Sequence, residues 1–214
     1  MANRGAKKIT SAAQVEHEIE RCRELEYWAK VEHLAKQLKS NFDPDNALIN
    51  FLIGEAKLEQ YLQEHPPLRS TGTTEAKNGL KEAKACLLLT VGDEAKKLGV
   101  HLDSFILLGK LNFAEANYKE ALEYYEKAHI DTLEEKMLPP RSIKVMAEAF
   151  AIQAMCWEKV PSESSSKTRL AERENKIIRS YEISGDLTLL FLQVADRYVL
   201  IKKKIMLHMI GRYF

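Results

Sequence analysis

The feature that most constrains this chain is a helical spacing of apolar residues that recurs from one end to the other. Val15, Ile19 and Cys22 follow one another at intervals of three or four, and the same spacing returns at Val31 and Leu34. Such spacing places apolar side chains on one face of a helix. We therefore predict an all-α protein with no sheet. The expected architecture is a right-handed superhelical array of antiparallel helix pairs, a tetratricopeptide-like α-solenoid.

Turn-forming and helix-breaking residues divide this pattern into segments. Residues 41–46 (NFDPDN) predict a turn, and the prolines within 65–67 stop a helix because proline has no amide hydrogen to donate. Further breaks are predicted at 137–141 (MLPPR) and in the serine-rich stretch 161–166. The resulting organisation is a disordered N-terminus at 1–10, an N-terminal helical region at 11–67, a loop at 68–74 and a tetratricopeptide-like array at 75–214.

Two local signals locate the first helices. Ser11 and Gln14 have the spacing of a capping box, in which the two side chains satisfy amides at a helix start, so the first helix is predicted to begin there. The apolar spacing then shifts at Tyr27 and Trp28. We predict a break between two helices at that point.

The clearest repeat is predicted over 102–133, as two helices separated by a turn at Ala116 and Asn117. Its spacing fits the 34-residue tetratricopeptide pattern. Small residues are expected to let the two helices approach, and large ones to fill the space between one pair and the next. Asn112 and Leu133 depart from the pattern, which usually has an aromatic residue and a proline there. The packing signature consists of Phe105, Leu108, Gly109, Ala121, Tyr125 and Ala128.

A second, degenerate pair is predicted over 142–184, with the loop 161–169 inserted between its helices. Gly185 and Asp186 are expected to end the second of these helices, because glycine disfavours a helix interior. A last, unpaired helix is then predicted over 187–210.

Composition and motifs argue against catalysis. The 32 Lys and Arg residues nearly balance 31 Asp and Glu residues, so nucleic acid is not an expected partner. Phosphate-binding glycine loops, nucleophile elbows and zinc-binding HExxH sequences are absent from the sequence. Three widely spaced cysteines predict neither a disulfide framework nor a zinc site, and Cys156 is interpreted as a buried helix position. We expect no catalytic residues, no metal and no cofactor.

The C-terminal stretch mixes bases with apolar residues. Lys202, Lys203, Lys204 and Arg212 are possible contacts to an anionic membrane surface. The preferred interpretation is a helix that packs against a following repeat. The N-terminal residues lack the apolar run of a signal peptide, and no stretch approaches the roughly 18 apolar residues of a spanning helix.

Several strings in the sequence resemble the N-terminal part of the tetratricopeptide repeat protein 7 family. The most specific is 57–66 (KLEQYLQEHP), because helix formation alone does not dictate it. The others, in the order of the family, are 18–23 (EIERCR), 110–112 (KLN), 118–122 (YKEAL), 139–141 (PPR), 147–149 (AEA), 181–182 (YE), 185–186 (GD) and 189–190 (LL). The sequence leaves the family pattern after Arg197, so we expect a truncated form.

The resemblance implies a non-enzymatic scaffold that helps recruit phosphatidylinositol 4-kinase type III alpha to the plasma membrane for phosphatidylinositol 4-phosphate synthesis. The partners that it implies are this kinase, hyccin and a palmitoylated membrane-anchor subunit. It implies a cytoplasmic protein whose membrane association is indirect or peripheral. The alternatives are a generic repeat adaptor in trafficking or complex assembly, and a peripheral membrane-binding module that acts through the C-terminus. Trp28 and Tyr198 are candidate anchors for a partner.

Overall fold

The computed structural model describes residues 3–39, 46–67, 73–132, 139–161 and 167–210, and for 3–12, 132, 167 and 198–210 it describes the backbone alone. Every regular element in these ranges is helical, which confirms the predicted all-α class. The helices are α1 (Asn3–Glu24), α2 (Trp28–Lys39), α3 (Ala47–Glu64), α4 (Thr73–Gly79), α5 (Lys81–Leu88), α6 (Asp93–Lys97), α7 (His101–Ala114), α8 (Tyr118–Lys127), α9 (Pro140–Lys159) and α10 (Lys167–Ile210), with a 3-10 turn at Ile130–Thr132.

The chain divides into two compact units, Met1–His129 and Ile130–Phe214. In the first unit, α2 packs on both α1 and α3, α3 continues onto α5, α5 onto α7, and α7 onto α8. In the second unit, α9 packs along α10. The longer helices of the first unit therefore pack in chain order, each on the next one of this series, as in an array of helical hairpins.

The core of the first unit is built from the apolar face of each helix. In α2, Trp28, Val31, Ala35 and Leu38 recur at intervals of three or four, and all four are buried. They meet the fully buried Leu58 of α3 within one continuous apolar cluster. Burying a side chain of this size contributes about 1.5–3 kcal/mol, so this stripe is what holds the hairpins together.

The turn between α1 and α2 has the same geometry as the turn between α7 and α8. Glu26 and Ala116 both have a positive φ of 59°. The following amides, of Tyr27 and Asn117, donate back to the carbonyls of Cys22 (2.9 Å) and Asn112 (2.8 Å). This backbone pattern closes a helix and reverses the chain.

The structure thus contains a second hairpin of the predicted type, formed by α1 and α2. The offset that relates Glu26 to Ala116 also relates Val31 to Ala121 and Leu38 to Ala128, and these four side chains are buried. The break predicted near Trp28 is found at residues 25–27.

Three boundaries differ from the predictions. Helix α1 begins at Asn3, so Ser11 lies within a helix rather than at its cap, and 3–10 is helical rather than disordered. Helix α10 is continuous for 44 residues across Gly185, so the predicted last helix 187–210 is its second half. The sequence from residue 75 predicts one helix as far as 89, with a possible extension to 98, whereas the structure has α4, α5 and α6 in this stretch.

Tertiary packing explains why α10 continues through Gly185. A single interior glycine costs a helix only about 1 kcal/mol. On the N-terminal side of Gly185, the hydroxyl oxygen of Ser180 lies 2.9 Å from Gln153 Oε1, and the Ser184 hydroxyl donates to the Ala147 carbonyl at 2.7 Å. Most of the predicted turn 41–46, of the predicted loop 68–74 and of the serine-rich stretch 161–166 lies outside the described residues, as do residues 137–138 of the predicted break 137–141. Residues 73 and 74 of that loop belong to α4.

Candidate interaction surface

A buried ion pair joins α1 to α3. The Arg23 guanidinium donates to both carboxylate oxygens of Glu55, from Nε at 2.7 Å and from Nη2 at 3.1 Å. Glu55 is 1% exposed and Arg23 9% exposed. Arg23 Nη1 also donates to Glu20 at 2.6 Å, and the guanidinium lies 5.5 Å from the centre of the Phe51 ring. Burial opposes the charge on Arg23, but the Glu55 carboxylate outweighs it and raises the Arg23 pKa.

A second pair links α3 to α7. Lys110 Nζ donates to both oxygens of Glu59, at 2.7 and 2.9 Å. Glu55 and Glu59 lie one turn apart on α3, so this helix is fixed to α1 through one carboxylate and to α7 through the other.

Asn112, which stands where the repeat pattern usually has an aromatic residue, has a structural role. Its side chain is buried, donates to the Leu108 carbonyl at 2.8 Å and accepts from Lys84 at 3.4 Å. Lys84 is also paired with the nearly buried Glu115, which accepts a hydrogen bond from Asn117 at 3.0 Å. These polar contacts tie α5 to the end of α7, where the usual aromatic residue would have packed by contact alone.

A third network lies where α2 meets α3. Glu32 is ion-paired with Lys36 (2.7 Å) and Lys57 (3.2 Å), and it accepts a hydrogen bond from Gln60 at 3.1 Å. Partial burial acts to raise the Glu32 pKa. The hydrogen bonds from these three side chains outweigh that effect and hold the pKa at about 2.

Replacing Glu32 with glutamine removes the charge that these three side chains stabilise, so it is expected to lower the free energy of unfolding at pH 7. The expected loss is only about 1 kcal/mol, because solvent screens part of the network. A lowered folded-state pKa stabilises the fold above the ordinary value and ceases to do so as the pH falls through the folded value. The deficit of the variant should therefore be complete above pH 4.5 and disappear towards pH 2. Urea titrations at several pH values would measure it, with Glu82→Gln, an exposed partner of Lys57, as the control with a smaller change. A deficit that does not change between pH 7 and pH 2 would contradict this assignment.

An open depression of about 390 Å³ lies between the α1–α2 turn and the C-terminal half of α3. Tyr27 is 58% exposed at its edge, and the neighbouring Leu25 is 49% exposed. Lys30 is fixed on one side by an ion pair with Glu18, whose pKa is lowered to about 2 by hydrogen bonds from Arg21 and Lys30. The lining residues are Glu26, Tyr27, Trp28, Ala29, Lys30, Gln60, Gln63 and Glu64.

The predicted packing signature is brought together by α7 and α8. Leu108, Ala121, Tyr125 and Ala128 are fully buried, and Phe105 is partly buried. Tyr125 lies directly over Gly109, where an added Cβ would stand 2.7 Å from the ring. Phe105 contacts Tyr124, with ring centres 6.2 Å apart. Tyr125 therefore packs inside its own hairpin, whereas the sequence suggested a place between hairpins.

The other predicted positions are placed as follows. Trp28 is only 6% exposed, so its neighbour Tyr27 is the exposed aromatic residue on this turn. Tyr27 directly follows Glu26, whose positive φ is a feature of the folded backbone that no sequence motif marks. Cys156 is fully buried and burial raises its pKa to about 12, which fits a packing role. The side chains of Tyr198, Lys202, Lys203 and Lys204, and the whole of Arg212, lie outside the described part.

Within the described ranges, the structure shows no cluster of histidine, cysteine and carboxylate side chains that could hold a metal ion. The same ranges contain no helix long and apolar enough to cross a membrane. What the Met1–His129 unit presents is a set of helical hairpins joined by ion pairs, with an open, mixed polar and aromatic surface. Such an arrangement is the one found in repeat proteins that bind other proteins.

Comparison with known proteins agrees with this class. Residues 3–206 match the sequence profile of the N-terminal region of tetratricopeptide repeat protein 7. The chain therefore belongs to the tetratricopeptide repeat protein 7 family, a family of repeat-type scaffold or adaptor proteins.

Individual relatives are similar to it over most of its length. Human tetratricopeptide repeat protein 7B is 36% identical over 190 residues, which are 89% of this chain and 22% of the relative. The mouse 7B protein is 33% identical over the same shares, and human 7A is 28% identical over 92% of this chain and 25% of the relative. The chain thus spans about a quarter or less of the length of these relatives.

Proposed function

We propose that this chain is a non-enzymatic scaffold segment that helps recruit phosphatidylinositol 4-kinase type III alpha from the cytoplasm to the plasma membrane. The family membership is the observation that carries the proposal. The fold supports it, because stacked hairpins joined by ion pairs form a rigid surface that a protein partner can bind. In this role, the chain contributes no chemical step to phosphoinositide synthesis. It supplies contacts to the kinase, to hyccin or to a palmitoylated membrane-anchor subunit.

The α1–α2 turn is the contact surface that we assign to one of these partners. Leu25 and Tyr27 are about half exposed and lie on the same turn. Tyrosine is enriched among the residues that dominate binding energy, since it combines a large ring with a hydrogen-bonding hydroxyl. The depression beside Tyr27 offers space for a partner side chain.

Capture of each purified partner on immobilised residues 1–214 tests both statements. The kinase, hyccin and the anchor are offered singly and together. The proposed function expects at least one to be retained, and the assigned surface expects Leu25→Ser/Tyr27→Ala to reduce that retention at least tenfold. Leu98→Ser, at a similarly exposed leucine elsewhere in the unit, is the matched control. Retention that is equal for both variants would move the contact elsewhere, and no retention of any partner would refute the recruitment role of this segment.

A further inference from the structure

The depression beside Tyr27 lies where helix α3 ends, and the backbone at this end is short of hydrogen-bond donors. The His65 amide donates to the Tyr61 carbonyl at 2.8 Å. Residues 66 and 67 are both prolines, which have no amide hydrogen. The carbonyls of residues 62 and 63 therefore cannot be bound by the amides four positions further on, which are the partners that another helical turn would supply.

The charge at this end of α3 is negative. A helix dipole places partial negative charge at the C-terminus, where a lysine or arginine is stabilising. The last turn of α3 contains no basic residue, and its final residue is the exposed Glu64, which lines the depression. The His65 ring stacks on Tyr61, with ring centres 4.6 Å apart, and does not belong to the lining. A cation bound in the depression would supply the charge that this helix end lacks.

The remaining polar groups of the depression also favour a ligand that donates hydrogen bonds. Both amide hydrogens of Gln60 are engaged, because Nε2 donates to Glu32 and to the Ala56 carbonyl, each at 3.1 Å. The Gln60 side chain can therefore offer a ligand only its oxygen, an acceptor. Among the described residues that line the depression, Lys30 alone is basic, and its ammonium is ion-paired with Glu18.

The aromatic edge of the depression distinguishes between the two basic side chains. Tyr27 is 58% exposed, so a face of its ring is open to a ligand. A guanidinium is planar, carries five N–H donors and stacks on aromatic rings, whereas a lysine ammonium is compact and strongly hydrated. Leu25, on the same turn, offers an apolar surface to the methylene groups of a long side chain. An open ring beside a carboxylate and backbone carbonyls is the environment that favours arginine.

We propose that this depression binds an arginine side chain of the partner that contacts the α1–α2 turn. The guanidinium stacks on Tyr27 and donates to the Glu64 carboxylate and to the carbonyls at the end of α3. The inference rests on the proposed contact surface and adds its chemistry, namely that the partner presents a basic segment there. Because the charges are exposed, binding weakens as the salt concentration rises.

Capture of the purified partners on a charge-neutral variant tests the carboxylate. Glu64→Gln is expected to weaken the binding of the retained partner about fivefold at low salt, as for a partly exposed ion pair. Glu126→Gln is the matched control, since Glu126 is also exposed in the last turn of a helix, but Lys127 follows it there. It should bind like the unaltered chain. A partner that both variants retain equally would overturn the arginine pocket and leave the recruitment role standing.

Two labelled peptides test the side chain without reference to any partner. They share a glycine, serine and leucine sequence, with several arginines in one and lysines at the same positions in the other. In anisotropy titrations with residues 1–214, the arginine peptide should bind about threefold more tightly, and Tyr27→Ala should remove this preference. Equal binding of the two peptides, or no binding of either, would overturn the proposal. An arginine preference that depends on Tyr27, found when no partner is retained, would support the pocket and refute the recruitment role.

Discussion

Replacing Glu55 with alanine is expected to lower the free energy of unfolding of the Met1–His129 unit by about 3–5 kcal/mol, the cost of leaving a buried charge without its partner. The Arg23 guanidinium lies between α1 and α3 and is 9% exposed, so water cannot replace the carboxylate that it loses. In the Glu55→Ala variant, Glu20 would be the remaining carboxylate partner of Arg23, and it accepts a hydrogen bond from Nη1 alone. A loss of this size is comparable with the whole stability of a small unit.

Two further variants separate the buried pair from ordinary surface charge. Glu20→Ala removes a hydrogen bond to the same guanidinium, but Glu20 is 59% exposed, and we expect a loss below about 1 kcal/mol. Arg23→Met combined with Glu55→Met removes both charges and should recover most of the stability. Urea unfolding followed by circular dichroism measures all three. A Glu55→Ala loss no larger than that of Glu20→Ala would show that the pair does not hold α1 on α3.

Replacing Gly109 with alanine is expected to destabilise the α7–α8 hairpin by about 1–3 kcal/mol, the usual cost of overpacking a filled core. The added Cβ would lie 2.7 Å from two ring atoms of Tyr125, which is fully buried. The sign of the change in stability separates two effects. Helix propensity alone would make the alanine variant more stable by about 1 kcal/mol, so a loss of stability reports the contact with Tyr125.

Gly109→Ala should have the opposite effect on stability when the Tyr125 ring is absent. Tyr125→Leu alone is expected to cost about 2–4 kcal/mol, because it leaves a cavity. In that background Gly109→Ala should stabilise, since the Cβ then fills part of the cavity and the helix propensity is gained. A double-mutant cycle from thermal unfolding measures this coupling. Additive effects of the two substitutions would mean that Gly109 and Tyr125 do not pack on each other in solution.

Much of the fold was predictable from local signals. The apolar interval of three and four residues located α2, α3, α7, α8 and α9, although it divided the single helix α10 at Gly185. The small residues Gly109 and Ala121 indicated a close crossing of α7 and α8. The shift of the pattern at Trp28 located the first turn. These signals act within a few residues of the chain, and a helix forms and buries one face by the same short-range rules wherever it occurs.

The candidate surface was much less predictable. Tyr27 and Trp28 are adjacent aromatic residues with the same expected tendency to be buried, yet one is 58% and the other 6% exposed. The positive φ of Glu26 decides this, because it turns the chain so that Trp28 enters the core and Tyr27 does not. The exposed face of α10, which includes Leu189 and Leu192, was equally hard to predict, because the position of α9 decides which of the two apolar faces of α10 is covered.

The sequence by itself determined the helical class, the hairpin spacing and the family, since these follow from periodicity and from strings of residues along the chain. Only the tertiary structure decided that Arg23 pairs with Glu55, that Thr90 and Ser104 meet at 2.7 Å between their hydroxyl oxygens, and that Gly185 lies inside a helix. The physical reason is that a buried charge or hydroxyl must find its partner in space. Arg23 and Glu55 are 32 positions apart, and no interval along one helix relates them.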